Sequence, residues 1–465
     1  MAQTFENGNI TKRLSDFVAN LTYEDLSPEV VEWAKYLCLD FAGVTLNGST
    51  TPSGRAVART IDRAGRSGVS VVVGTSQMAL PEYAALANGI SFHSIELDDV
   101  NNEASLHPGV ATFPTALALA DLTSVDGKSF ITAVTGGYDV MVRLGRALKP
   151  AEHYGRGFHP TGTCGAFGAA AVSARLLGLK GDAFTWALGI AGSQASGSME
   201  FLAQGAWTKR FHPGWAAHSG IWAALLAQEG YIGPTSIVEG TNGFLNSYSG
   251  DPDQDSVLKD LGQVFHITRT GIKPHACCRY MQGPIDCVLD LVNHHQLKAG
   301  DVEEARVGVL SAGYAIVAAP EEEKMNPTTL VDMQFSMPFG AAAALLYGKA
   351  SLEEFTPEVA QRQEVKDLMS RVRCIRDDTL DAAFPHQWPA WVEVTMRGGQ
   401  ILRSDTAYPK GDPENALTWD EMKEKFRTLS RPVVSEARQR EIIAAVESLE
   451  DMRDVRELAY LLAAE

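Results

Sequence analysis

Small and apolar residues recur along the first half of the chain with the three- and four-residue spacing of a helix face. Pro114 to Leu122 (PTALALADL), Phe130 to Ala147 (FITAVTGGYDVMVRLGRA), Gly165 to Leu177 (GAFGAAAVSARLL) and Phe184 to Ser198 all carry Ala and Gly where the helix must bury. Small residues let helix axes approach closely, so residues 1 to about 265 are predicted to form an almost wholly helical, multilayered body. Ser27-Pro28-Glu29 has the form of a helix start, with Ser as cap and Pro in the first turn, and Gly178 and Gly181 bracket a helix end.

The pattern changes after Phe265. Ala305 to Ala312 (ARVGVLSA), Arg371 to Arg376 (RVRCIR) and Trp391 to Met396 (WVEVTM) are short runs with β-branched residues, and Arg397-Gly398-Gly399 followed by Gln400 to Ser404 reads as a hairpin. After the connector Pro409 to Pro413 (PKGDP), helix returns at Thr418 to Leu429 and Glu436 to Leu449. The fold class expected is mainly α with α+β. A large all-helical domain is built from both termini, residues 1–267 and 406–465, and a smaller α+β domain, residues 268–405, is inserted into it.

Composition narrows the function. A chain of 465 residues allows about three average domains or two large ones. With 40 basic and 57 acidic side chains, its net charge of −17 has the wrong sign for nucleic acid. The six cysteines (Cys38, Cys164, Cys277, Cys278, Cys287, Cys374) form neither a disulfide framework nor CxxC spacing, which suits a reducing, cytoplasmic setting. Neither an export signal nor a membrane span is expected.

Candidate chemistry lies in four polar clusters. The stretch from His93 to Gly109 places Glu96, Asp98, Asp99 and Glu103 around His93 and His107, and carboxylates beside an imidazole raise its basicity and fix its tautomer; it reads equally as a solvated acidic loop. The stretch from His153 to Gly168 sets Arg156 and His159 before a Thr/Gly-rich helix start suited to a carboxylate, or forms a plain glycine-rich turn. Thr208 to Gly214 (TKRFHPG) and Lys273 to Tyr280 (KPHACCRY) concentrate cations without nearby acid, which suits a small anionic substrate. No HxxxH or HxH spacing supports a metal site, since the one close histidine pair is His294-His295.

In order, ELDDxxxEASLHPG, GYDVxxRLGRA, GRGFHPTGTCGAFGAA, TKRFHPGWAAHSG, IKPHACCRYMQGPID and FSMPFGAAAALLYG resemble the motifs of the MmgE/PrpD family over almost the full length. Its members include 2-methylcitrate dehydratase, cis-aconitate decarboxylase and iminodisuccinate epimerase, which handle small polycarboxylates without metal or organic cofactor. The resemblance implies a helical domain from both termini, an inserted α+β lid, a homodimer through the helical domain, and a site in the cleft between domains. The matching positions are Glu96, Asp98, Asp99, His107, His159, Lys209, the segment carrying Lys273, His275, Cys278 and Arg279, and Tyr314.

Some positions depart from the lyase pattern. Glu96 replaces an aspartate, Asp98-Asp99-Val100 replaces a DDT-type run, and Cys278 and Gln282 stand where relatives carry histidine. These changes favour an epimerase that removes and returns a proton α to a carboxylate, with a dehydratase or decarboxylase as the alternative. In either case cations must absorb charge developing on carboxylate oxygens; Lys209 and Lys273, with Arg156 or Arg210, are the candidates. His107 and His159 are the expected bases, or the acid in a lyase. Lys209, Tyr314 or Cys278 is the expected partner on the opposite face of the carbon. The third reading is a catalytically silent binder of polycarboxylates or a helical dimer without chemistry.

Overall fold

The computed structural model describes residues 9–465, so the first eight residues of the expected helical domain lie outside it. By contact the chain forms two compact units. One comprises the chain up to Ser94, Asp98–Thr270 and Thr418–Glu465, and the other comprises Gly271–Leu417 together with Ile95–Leu97. The second unit therefore ends twelve residues beyond the boundary expected at 405 and takes in a tripeptide from the acidic loop.

The first unit is built around α1 (Ile10–Asn20), α2 (Pro28–Ser49), α3 (Pro52–Arg63), α4 (Pro81–Phe92), α5 (Gly109–Thr123) and α6 (Gly127–Ala147). It continues through α7 (Pro150–Gly155), α8 (Pro160–Leu176), α9 (Gly181–Gly192) and α10 (Thr208–Gln228). The start signal at Ser27 operates as expected, with its hydroxyl accepting from the Val30 N–H at 3.3 Å ahead of Pro28. Two departures have local causes. Ser67–Val71 (β1) and Met78–Ala79 (β2) pair as a small antiparallel hairpin inside the supposedly all-helical region, too short for periodicity to reveal. The helix anticipated to Ser198 stops at Gly192, before a Ser/Gly-rich loop in which Gly197 takes a φ of 148°.

Helix packing here depends on missing side chains. A Cβ on Gly214 of α10 would lie 2.4 Å from the Leu86 carbonyl of α4, and one on Gly220 would lie 2.4 Å from the Ala169 side chain of α8. α10 therefore sits almost backbone to backbone against both neighbours, which fixes the position of its first turn. Phe41, Phe92, Phe113 and Phe130 fill the core alongside these contacts.

The C-terminal helices α14 (Trp419–Ser430) and α15 (Glu436–Glu447) complete this unit. Trp419 donates to Glu32 and stacks on Tyr36 of α2, so the two ends of the chain share one body.

In the second unit, a four-stranded sheet has the order β4 (Val372–Arg376), β3 (Val302–Val309), β5 (Ala390–Met396), β6 (Ile401–Thr406). The β3/β4 pair is parallel and the other two are antiparallel, with the β5/β6 hairpin turning at Arg397-Gly398-Gly399 as its sequence predicts. Helices α11 (Arg279–His295), α12 (Ser311–Val317) and α13 (Met337–Tyr347) accompany it. Ser311 begins a helix at a point where the strand was expected to continue to Ala312. Among the described residues, no helix is long and apolar enough to cross a membrane.

Candidate active site

Three helix starts of the first unit meet around histidines. His93 caps the C-terminal end of α4, His107 stands two residues before α5, His159 immediately precedes α8, and His212 is the fifth residue of α10. Neither α8 nor α10 has a side-chain cap, so the positive end of each helix dipole is not offset by a capping side chain and favours an anion.

Asp98 organises two of these imidazoles. Its Oδ2 lies 2.9 Å from Nδ1 of His93 and 2.8 Å from Nδ1 of His107, and the latter also reaches the Asp99 carbonyl at 2.6 Å. All these partners are acceptors, so each ring carries its proton on Nδ1 and leaves Nε2 bare. The three ligand-capable atoms of His93, Asp98 and His107 lie close enough together for a cation. The same distances also make them a hydrogen-bonded carboxylate bridge, with the positive charge of Lys209 felt at His93.

The other pair is His159 and His212, whose Nδ1 atoms are 3.0 Å apart. The ring of His159 stacks on that of His93 at 5.9 Å, which joins the two pairs into one array. Burial is the main influence on the acidity of this array. His93 is pulled down to about 4 by desolvation, although Asp98 opposes the shift. His159 is pushed well below the ordinary imidazole range by burial and then by its neighbours His212, His93 and Lys209. His212 falls to about 4, again mainly through burial. Three of the four rings are thus neutral near pH 7. His107 alone is half-buried rather than buried.

Lys209, half-buried in the first turn of α10, supplies positive charge felt by His93, His159 and His212. Arg210 is buried, and its guanidinium donates to the Ser53 hydroxyl at 3.2 Å. Arg156, by contrast, is exposed and donates to the Ser247 carbonyl at 3.3 Å; the structure does not bring it to the histidines. Asp99 does not face them with its carboxylate either. It accepts from the Gly109 N–H at 3.1 Å and the Tyr138 hydroxyl at 2.9 Å, anchoring the start of α5, while burial raises its carboxyl well above the usual range.

The remaining expected residues belong to the second unit. Lys273 and Glu96 form a buried pair with 3.6 Å between Nζ and Oε2. His275 bonds through Nε2 to Asp286 at 2.9 Å, and its backbone is clamped on both sides by Gln282. Cys278 is buried at the start of α11. The Arg279 charge is committed to Asp412, whose two oxygens both lie 2.6 Å away. Tyr314 is half-buried on α12, where its carbonyl closes the helix end. Neither His93 nor His212 had been singled out as a site residue. The available signals were the five-residue step from His93 to Asp98 and the three-residue step from Lys209 to His212 on one helix face.

The model for the MmgE/PrpD N-terminal domain matches residues 12–256 and that for the C-terminal domain matches residues 275–451. The chain belongs to the MmgE/PrpD family. Within this family it is 31% identical over 479 residues to the cis-aconitate decarboxylase-like protein oryM of Aspergillus oryzae, covering 98% of each. It is 26% identical to a cis-aconitate decarboxylase of Aspergillus terreus, over 99% of this chain and 97% of that one. The human cis-aconitate decarboxylase is 27% identical, over 98% and 94% respectively. These MmgE/PrpD relatives are named as lyases, so they support the lyase alternative over the epimerase reading that the substitutions in the acidic loop had favoured.

Proposed function

We propose that this MmgE/PrpD protein is a decarboxylase of an unsaturated tricarboxylate of the cis-aconitate type. The observation that carries the reading is the histidine array of the first unit, set at uncapped helix starts beside Lys209, in a chain that aligns end to end with named cis-aconitate decarboxylases. Such a reaction breaks a carbon–carbon bond and releases carbon dioxide. The electron pair left behind is shared with a remaining carboxylate, and a proton must then be delivered to carbon.

Each part of the array has a role in that sequence. Helix N-termini and Lys209 hold substrate carboxylates and take up charge as it develops on their oxygens. His107, pinned by Asp98 in its Nδ1–H form, presents its Nε2 for proton transfer. His159 has no such carboxylate partner and begins neutral, suited to accept a proton or donate one according to its tautomer. Burial alone argues against His159 as an ordinary base titrating near neutrality, the role expected of it from sequence.

The test is incubation of the full chain in deuterated water with cis-aconitate, 2-methylcitrate and iminodisuccinate, each read by proton NMR together with carbon dioxide release. Carbon dioxide from cis-aconitate alone supports the proposal. Alkene formation from 2-methylcitrate identifies a dehydratase, and isotope exchange without carbon dioxide identifies the epimerase reading. His159→Gln and Lys209→Ala should each abolish turnover while leaving thermal unfolding in place; full activity in both would refute the site.

A homodimer is proposed through α10 of the first unit, with a second copy as the occupant. Phe211 and Trp222 are 42% and 47% exposed along this helix, and Phe211 stacks on Trp215 at 5.7 Å. Aromatic area of this kind on one helix supports a buried contact.

A further inference from the structure

The 3.0 Å contact between Nδ1 of His159 and Nδ1 of His212 permits one proton between them, since two bare lone pairs would repel and two N–H groups would clash. Two arrangements satisfy it. If His159 holds the proton, its Nε2 is bare and can accept. If His212 holds it, His159 must carry its own proton on Nε2 and can donate. Which arrangement prevails decides whether His159 acts as base or acid.

We infer that His212 is a positioning residue that lets His159 alternate between these forms by exchanging the proton shared by their Nδ1 atoms. The inference rests on the reading of His159 as a group that moves a proton at the substrate. When a proton arrives at Nε2 of His159, an N–H bond forms there as the Nδ1–H bond breaks and its proton passes to Nδ1 of His212. His159 remains neutral with its proton on Nε2, and His212, protonated on both nitrogens, carries the positive charge. The reverse transfer returns the proton to substrate.

The surroundings give this exchange a purpose. His93 and His107 share the Asp98 carboxylate, whereas the ring hydrogen bond of His159 and His212 is to each other. The groups facing His159 are His212, His93, Lys209 and His107; those facing His212 are His93 and Lys209, with Phe201 lying edge-on to both rings. Nothing in that set stabilises an imidazolium on His159, which is 2% exposed, while His212 is 8% exposed. Both rings are buried and both face Lys209, so moving the charge to the slightly more exposed His212 lowers its desolvation cost by a small amount.

The pair is also held rigidly. A Cβ on Gly162 would lie 3.0 Å from Cβ of His212 and 2.4 Å from the Ser196 carbonyl, and the His159 N–H donates to the Gly197 carbonyl at 2.9 Å.

His212→Asn and His212→Phe separate this role from a merely structural one. The amide can donate or accept at the same place but cannot take up the charge, and Phe keeps only the shape. Both variants are expected to lower kcat by about 10²-fold, the lower end for a positioned acid–base group, with KM changed far less. Full rescue of kcat by Asn would overturn the inference.

Histidine-selective 15N labelling of the ligand-free full chain reads the tautomer directly. With water supplying and removing the Nε2 protons in the absence of substrate, nitrogen shifts of His159 should be averaged between protonated and bare at both positions in the parent, and should collapse to one tautomer in His212→Phe. A parent His159 with one fixed tautomer, unchanged by the substitution, would overturn the inference too. Because that spectrum needs no substrate, failure to decarboxylate cis-aconitate would remove the proposed function without deciding this point.

Discussion

Asp98→Asn tests the carboxylate bridge, because one oxygen serves two histidines. Oδ2 accepts from His93 at 2.9 Å and from His107 at 2.8 Å, in a side chain with no solvent exposure. An amide oxygen can still accept, but the negative charge is lost. Each hydrogen bond to a charged partner contributes about 1.5 to 3 kcal/mol and a neutral one about 1, so two weakened bonds destabilise the fold by about 1 to 4 kcal/mol. The catalytic effect should be larger. His107 loses the charged acceptor that fixes its Nδ1–H form, and His93, already near 4 with Asp98 holding it up, is pushed lower. A loss of about 10² to 10⁴-fold in kcat is expected, the range for positioned acid–base groups. Carbon dioxide release from cis-aconitate measures kcat, and denaturant unfolding measures stability. A variant whose kcat stays within threefold of the parent while unfolding normally would refute the assignment of Asp98 as the residue that orients His107.

Other consequences are accessible to simple measurements. Gly214→Ala places a methyl where the Leu86 carbonyl stands 2.4 Å away, and should cost about 1 to 3 kcal/mol through overpacking, seen as a lower thermal midpoint. Asp412→Asn strips the charge from the partner of buried Arg279; a loss of about 3 to 5 kcal/mol is expected for a broken buried pair, and denaturant unfolding checks it. His266 is held down to about 3 by burial and by Arg143, Arg146 and Arg269. Its unfolded counterpart titrates at 6.5, so the unfolded chain binds the extra proton first and native stability falls as pH drops below 6.5 toward 3. At pH 5 this amounts to about 2 kcal/mol, and His266→Gln should lose that much less than the parent between pH 7 and 5 in paired unfolding curves. Phe211→Glu with Trp222→Glu should convert a dimer to a monomer in solution scattering, and a parent that is already monomeric at micromolar concentration would contradict the proposed interface.

Much of the architecture follows from patterns that act locally. Ser27 before Pro28 and the Gly398-Gly399 turn each state their structure within a few residues, and α6 and β5 appear within a few residues of their predicted limits. The site was less legible because its geometry comes from packing between distant segments. Arg156 and Arg210 look alike in sequence, each two or three residues before a histidine. Only the fold shows one exposed and the other buried against Ser53, 157 residues away. Likewise, His212 meets His159 across 53 residues because Gly162 lets the first turns of α8 and α10 touch. Asp98 and Asp99 are adjacent and chemically identical, yet one bridges two histidines and the other caps α5. The path of the loop separates them, and no composition rule does.

The central claim is that this histidine array delivers a proton to a substrate carbon from which carbon dioxide has departed. Turnover of cis-aconitate by the full chain in deuterated water, with carbon dioxide and carbon-bound deuterium counted together, tests it most directly. One deuterium fixed on carbon for each carbon dioxide released, with both lost in His159→Gln, is the predicted result. Deuterium entering the substrate without carbon dioxide release, or equal turnover by His159→Gln, would contradict it.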